Sequence, residues 1–207
     1  MNSKIGVRDD DVLVGSSSTD NPLKRFQMVH EWICEVPDTL IHTPTILVTE
    51  IQEFPDCIEY VREETAEGRM MPEIHGLKHI NYATLTFDEV VNHLDHCKEW
   101  IKREFNYDAT RWYTPWGAGE DEAGAHLRPA AAAIGLKLVT CKNIVKLKGR
   151  YGVVQELRDG RNISYLNGNE IFIHWWENAS RLKRVIEVIK HGSWNEAAAA
   201  NKELFAE

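Results

Sequence analysis

The chain has 207 residues and a formal net charge of -8, and its composition is 43% hydrophobic and 27% charged. These values are typical of a folded domain with a sizeable core, and they exclude a disordered chain. Only 24 Lys and Arg residues stand against 32 Asp and Glu residues. Because no basic stripe is available to neutralise phosphates, a nucleic-acid partner is not expected.

The N-terminal residues hold no apolar stretch of signal-peptide length, and acidic side chains follow at once. No later run approaches the ~20 apolar residues of a membrane span. We therefore expect a cytoplasmic protein without membrane contacts. The four cysteines lie far apart without CxxC spacing, which predicts reduced thiols.

Strand and helix patterns alternate along the chain. The predicted strands are short, and they cover residues 4–7, 44–49, 70–75, 110–115, 136–140 and 170–176. The predicted helices cover residues 23–35, 55–68, 86–105, 121–135 and 178–192. Alternation of this kind is typical of parallel strands joined by right-handed crossovers, which form an open sheet or a barrel. Residues 1–207 are interpreted as a single domain, because no linker or repeat divides them.

The strongest helix pattern covers residues 86–104. Thr86 and Glu89 form a capping-box pattern at its start. The 3.6-residue period predicts one apolar face, which packs on the sheet. That predicted face consists of Phe87, Val90, Val91, Leu94 and Ile101.

Polar residues fall where several predicted strands end. Residues 9–11 are three aspartates after the first strand, and His75, Thr114 and His174 close later strands. Alone, a triple aspartate is typical of a solvated turn, and a single histidine is more often structural. The carboxyl ends of parallel strands share one face of the domain, however, and that face carries the active site in such folds. The combination therefore predicts an enzyme.

Four sequence motifs, in this order, resemble those of the polysaccharide deacetylase family, the NodB-homology or carbohydrate esterase family four domain. "RDDDV" resembles its paired aspartates, and "HGLKH" resembles its two histidines spaced four apart. "RWYTPWG" resembles its arginine-and-aromatic loop, and Phe172 with His174 resembles its last strand. The resemblance implies an α/β fold, a distorted or incomplete parallel (β/α) barrel.

The sequence also departs from the family pattern at three places. Gly76 stands where the second motif has Ser or Thr, and Arg111 lies two residues earlier than the arginine of the third motif. The resemblance gives that arginine the task of orienting a carboxylate. An Asp-rich fourth motif, expected near residues 141–150, is not recognisable.

The resemblance implies a divalent metal, with zinc as the expected ion, held by Asp11, His75 and His79. Three protein ligands leave a coordination position open, as a catalytic metal site requires. The family pattern makes Asp10 the general base, whereas strand alternation aims Asp9 and Asp11 to the same side and Asp10 to the other. Asp11 is a ligand in both interpretations, and Asp10 is the predicted base. His174, on a different strand end, is the predicted acid for the leaving amine.

The third motif supplies the predicted substrate contacts, which are Arg111, Tyr113, Pro115 and Trp116. Its aromatic side chains suit a sugar-stacking groove, although burial in the core fits them equally well. The expected function is metal-dependent removal of an acetyl group from an N-acetylated sugar or related amide, with a small-molecule or oligosaccharide substrate. Hydrolysis of a non-sugar amide and non-catalytic carbohydrate binding stay open as alternatives. The sequence leaves the oligomeric state unknown.

Overall fold

The computed structural model describes residues 5–13, 21–35, 40–119, 122–139, 165–167 and 170–174. Its strands are β1 (Ile5–Asp10), β2 (Leu40–Leu47), β3 (Glu73–Gly76), β4 (Arg111–Tyr113), β5 (Lys137–Val139), β6 (Tyr165–Asn167) and β7 (Glu170–His174). Its helices are α1 (Pro22–Cys34), α2 (Val48–Ile51), α3 (Pro55–Ala66), α4 (Phe87–Phe105) and α5 (Leu127–Ala133). The predicted helix 178–192 lies outside the described residues.

All described strands form one sheet in the order β5-β4-β3-β2-β1-β7-β6. Every neighbouring pair is parallel except the pair of β6 and β7, which is antiparallel. The curled sheet with its helices forms a half-barrel, so the predicted incomplete (β/α) barrel is confirmed. Parallel direction brings the carboxyl ends of β1, β3, β4 and β7 to one edge. Within the described part of the chain, no helix is long and apolar enough to span a bilayer.

Helix α4 packs as its sequence pattern predicts, with one exception. Thr86 and Glu89 form the capping box, and Leu94 is completely buried. The sequence pattern predicts Phe87 on the apolar face, but Phe87 is 42% exposed. It is the first residue of the helix, so it lies before the turn at which the apolar face meets the sheet. The buried side chains of this helix are Val90, Leu94, Cys97, Trp100, Ile101 and Phe105.

Several element boundaries differ from the sequence prediction. Strand β1 ends at Asp10 instead of residue 7, and β3 begins at Glu73 instead of residue 70. The predicted helix 121–135 begins only at Leu127, after a 3₁₀ turn at Glu122–Gly124. Proline is tolerated in the first turn of a helix but not in its interior, so Pro129 requires the helix to begin shortly before it. Strand β2 begins at Leu40 instead of residue 44. The sequence does not predict this earlier start, because His42 is polar. In the structure, His42 is nevertheless a fully buried strand residue.

His42 belongs to a buried polar network between the sheet and helices α1 and α3. His30 Nε2 lies 2.9 Å from Glu64 Oε2, and His30 Nδ1 lies 3.0 Å from His42 Nδ1. A carboxylate only accepts, so His30 donates from Nε2 to Glu64, and neutral His30 accepts from His42 through Nδ1. His42 Nε2 lies 3.4 Å from Asp9 Oδ2. Burial is the main reason that the pKa values fall to about 4 for His30 and about 3 for His42.

Candidate metal centre and active site

Asp11, His75 and His79 converge at the carboxyl edge of the sheet. Their candidate ligand atoms all lie within 4.8 Å of one another. Asp11 Oδ1 is 3.0 Å from Nε2 of His75 and 3.0 Å from Nε2 of His79. Ligand atoms about 2.0–2.1 Å from a tetrahedral zinc ion lie roughly 3.3 Å apart. The donor set of two imidazoles and one carboxylate therefore fits a divalent cation with little rearrangement.

The backbone of strand β4 orients His75. His75 Nδ1 lies 2.7 Å from the carbonyl oxygen of Tyr113, and a carbonyl only accepts, so Nδ1 carries a proton and donates. Neutral His75 then presents the lone pair of Nε2 toward Asp11. Such a bond from the second ring nitrogen fixes the tautomer and ring orientation of metal-binding histidines. His75 thus has both the position and the tautomer of a ligand.

The three residues also interact electrostatically without a cation. Burial alone raises the pKa of Asp11, but hydrogen bonds and charge from His75 and His79 outweigh it and hold the pKa far below its usual range. The hydrogen bond from His79 to Asp11 raises the pKa of His79, against the opposing effect of burial. His79 therefore holds its proton more tightly when no cation is bound. Metal binding releases this proton, because histidine ligates in its neutral form.

The turn after β1 determines which aspartates share this space. Asp9 lies near His42, on the side of the sheet that packs against α1. Asp10 has the opposite orientation and bonds to Arg8 and Thr45. Asp11 has φ +56°, a left-handed conformation that interrupts strand alternation. Strand alternation predicts that the side chains of Asp9 and Asp11 point to the same side of the sheet. This prediction is wrong, because the strand ends at Asp10.

Asp10, the predicted base, lies at the end of β1 with 4% of its surface exposed. Its charge contributes to the raised pKa of His79, so it is electrostatically coupled to the cluster. His174, the predicted acid, is the last residue of β7, and its Cα is paired in register with that of Asp10. The sheet therefore brings the two predicted proton-transfer residues to neighbouring strand ends.

Tyr82 occupies the space that a side chain on residue 76 would need. A Cβ added to Gly76 would lie 2.6 Å from Tyr82 Oη and 2.9 Å from Tyr82 Cε2. The Tyr82 hydroxyl instead accepts a hydrogen bond of 2.7 Å from the backbone N–H of Leu77. The ring is fully buried and packs edge-on against Trp112 at 5.2 Å. The chain thus has a hydroxyl beside the histidine motif, although it comes from a different residue.

The third-motif residues differ in their exposure. Tyr113 and Pro115 are buried, and Arg111 bonds to Glu73. Trp116 is 70% exposed, and its ring lies edge-on at 4.6 Å from that of His79. Of these four predicted substrate contacts, Trp116 alone presents a largely exposed side chain at the cluster.

Sequence reasoning missed Arg8, Thr45, Glu73 and Tyr82. Glu73 carries a detectable signal, because it is a charged residue inside the predicted strand 70–75, and a buried charge needs a partner. Arg8 directly follows the predicted strand 4–7 and carries no such signal. Nothing in the sequence signals Thr45 or Tyr82. Both are typical core or strand residues, and only the fold places their hydroxyls beside Asp10 and Gly76.

No protein-family model matches the sequence, and no curated protein matches it. Solved structures do match. A family 4 carbohydrate esterase from Streptomyces lividans, solved in complex with acetate, is 18% identical, with 93% of this chain and 90% of that chain covered and a TM-score of 0.61. A peptidoglycan deacetylase from Bacillus subtilis is 15% identical, with 98% and 94% covered and a TM-score of 0.58.

A family 4 pseudoenzyme from Bacillus anthracis matches equally well in fold. It is 16% identical, with a TM-score of 0.61, and the match covers 94% of this chain and 62% of that protein. At these identities the likeness establishes the architecture, in agreement with the order of the sequence motifs. The chain therefore has the NodB-type fold of the family 4 carbohydrate esterases, in a divergent form.

Proposed function

We propose that this chain is a metal-dependent hydrolase that removes the acetyl group from an N-acetylated sugar. The observation that carries the proposal is the convergence of Asp11, His75 and His79, with ligand atoms within 4.8 Å of one another. Imidazole and carboxylate ligands suit zinc, which we propose as the resident ion. When bound, the ion polarises the amide carbonyl and makes water a stronger nucleophile at neutral pH.

Residues around the cluster would transfer protons and contact the substrate. Asp10 accepts a proton from the attacking water as the new C–O bond forms at the acetyl carbon. His174 gives a proton to the sugar nitrogen as the C–N bond breaks, so that the products are acetate and a free amine. An amine leaves poorly unless it is protonated, so the reaction needs an acid in addition to the base. Trp116 offers an apolar ring against which a sugar face packs.

Metal content and acetate release test this proposal together. The protein is purified without added metal, its bound metals are quantified, and acetate release is measured from N-acetylglucosamine oligomers and nucleotide sugars with metal supplied. His75→Ala is expected to lose both metal and activity, because two ligands remain of three. His96→Ala is the control, since His96 is exposed on α4. Full metal occupancy in the His75→Ala protein would contradict the proposed ligand set.

The match to a pseudoenzyme favours non-catalytic carbohydrate binding as the second candidate. That protein has a mutant with restored enzymatic activity, so the fold is found with and without catalysis. The two candidates differ in one measurement. Binding of sugar oligomers without any acetate release, in the metal-loaded protein, would favour the binding function. Acetate release from non-sugar amides alone would instead indicate an amidase on the same fold.

A further inference from the structure

We propose that Arg8 is the positioning residue that holds the Asp10 carboxylate for proton transfer, a task that the family resemblance gives to Arg111. The inference rests on the proposed function, because that function makes Asp10 the base. Arg8 acts from the same strand as Asp10, two residues earlier, and its side chain is 4% exposed.

Arg8 engages both oxygens of Asp10. Its Nε donates to Oδ1 at 2.7 Å, and its Nη2 donates to Oδ2. The Thr45 hydroxyl, on the neighbouring strand, donates to Oδ1 at 2.9 Å. A bidentate guanidinium fixes the plane of a carboxylate as well as its position. Of roughly four lone-pair sites on the carboxylate, these three bonds leave one for the proton of a substrate water.

Tyr113 in turn holds Arg8. The guanidinium carbon of Arg8 lies 4.3 Å from the centroid of the Tyr113 ring, in a cation–π arrangement. The ring is fully buried, so the arginine packs against a side chain that is itself fixed by the core. The carbonyl oxygen of the same residue accepts the hydrogen bond from His75 Nδ1. Tyr113 therefore contacts both Arg8, which holds the predicted base, and His75, which is a predicted metal ligand.

Arg111 bonds to a different carboxylate, that of Glu73. Arg111 Nε donates to Glu73 Oε1 at 3.2 Å, and the Arg111 backbone N–H donates to Glu73 Oε2 at 2.8 Å. Glu73 is completely buried, and Thr110 supplies two further bonds to its oxygens. The guanidinium of Arg111 lies 5.9 Å from the centroid of the Tyr113 ring, whereas that of Arg8 lies 4.3 Å away.

The kinetic test uses Arg8→Lys, which keeps the positive charge but cannot form the bidentate hydrogen bonds to Asp10. We expect kcat for acetate release to fall ~10–10²-fold, since a small misplacement of a reacting group costs about that much. KM and bound metal should stay unchanged, because the proposal gives Arg8 no part in binding substrate or metal. The matched control is Arg62→Lys, which alters another arginine–carboxylate pair, that with Glu104 between α3 and α4. An Arg8→Lys protein with wild-type kcat would overturn the proposal.

A double-mutant cycle of thermal stability tests the pairing of Arg8 with Asp10 without an activity assay. Arg8→Met leaves a buried carboxylate unpaired and should lower the Tm, while Arg8→Met with Asp10→Asn removes both charges and should recover much of that loss. The cycle with Arg111→Met in place of Arg8→Met should give additive losses. Coupling of Asp10 to Arg111, or additive losses with Arg8, would overturn the proposal. A wild-type protein inert on every acetylated substrate would refute the proposed function, and the cycle would still decide which arginine holds Asp10.

Discussion

Acidification should destabilise this protein through the buried pair of His30 and His42. Both are neutral in the folded state near pH 7, because burial lowers their pKa values to about 4 and about 3. In the unfolded chain each titrates near 6.5. The unfolded state therefore binds more protons below about pH 6.5, and stability is lost as the pH falls from there toward the folded pKa values.

The size of the effect follows from the same values. Each pH unit below about 6.5 lowers the free energy of unfolding by about 1.4 kcal/mol per histidine. At pH 5 the loss is therefore about 2 kcal/mol for each of the two histidines. Together that is a large part of the 5–15 kcal/mol that typically stabilises a domain. His79 acts in the opposite direction, because its raised pKa gives stability that is fully present below about pH 6.5 and is lost as the pH rises through the folded pKa.

A variant isolates the buried contribution from that of His79. Urea unfolding of metal-free wild-type and His42→Gln proteins is measured at pH 7.5 and pH 5. The loss of unfolding free energy on acidification should be smaller in His42→Gln by about 2 kcal/mol, since glutamine does not titrate. His96→Gln, on the exposed side of α4, serves as the control for removal of a histidine. Parallel losses in wild type and His42→Gln would refute the reasoning.

The other two predictions concern turnover and substrate binding. His174→Ala should leave bound metal intact while lowering kcat by ~10²–10⁴-fold, the usual contribution of a positioned acid; loss of metal in that protein, measured by elemental analysis, would mean a role as ligand. Trp116→Ala should raise KM for sugar oligomers by ~3–10-fold with kcat preserved, because ring stacking contributes about 0.5–1.5 kcal/mol. An unchanged KM in steady-state assays would remove Trp116 from the binding surface.

The sequence predicts the architecture well because the architecture depends on local periodicity. The capping box at Thr86 and the burial of Leu94 follow from spacing alone and are confirmed. The carboxyl-edge location of the strand-end residues follows from parallel topology, and it brings Asp11 to His75 and His79. Their role as metal ligands stays a prediction.

What the sequence could not predict depends on contacts between distant residues. Alternation fails at Asp11 because a single left-handed residue redirects its side chain. His42 is a polar residue that the sequence gives no reason to bury, yet it is a buried strand residue whose partner His30 is twelve positions away. The pairing of Arg8 with Asp10 requires the fold, since alternation says only that two residues point to one side and not that they bond.

The close approach of Gly76 and Tyr82 makes these two positions depend on each other over evolutionary time. A serine introduced at Gly76 alone meets the tyrosine hydroxyl at the 2.6 Å position of its Cβ, and overpacking of this kind typically costs ~1–3 kcal/mol. Removal of the aromatic ring first would open a cavity that costs about 3–5 kcal/mol. Each single step between the two arrangements is therefore unfavourable. A residue larger than glycine at position 76 therefore requires a smaller side chain at position 82 in the same protein.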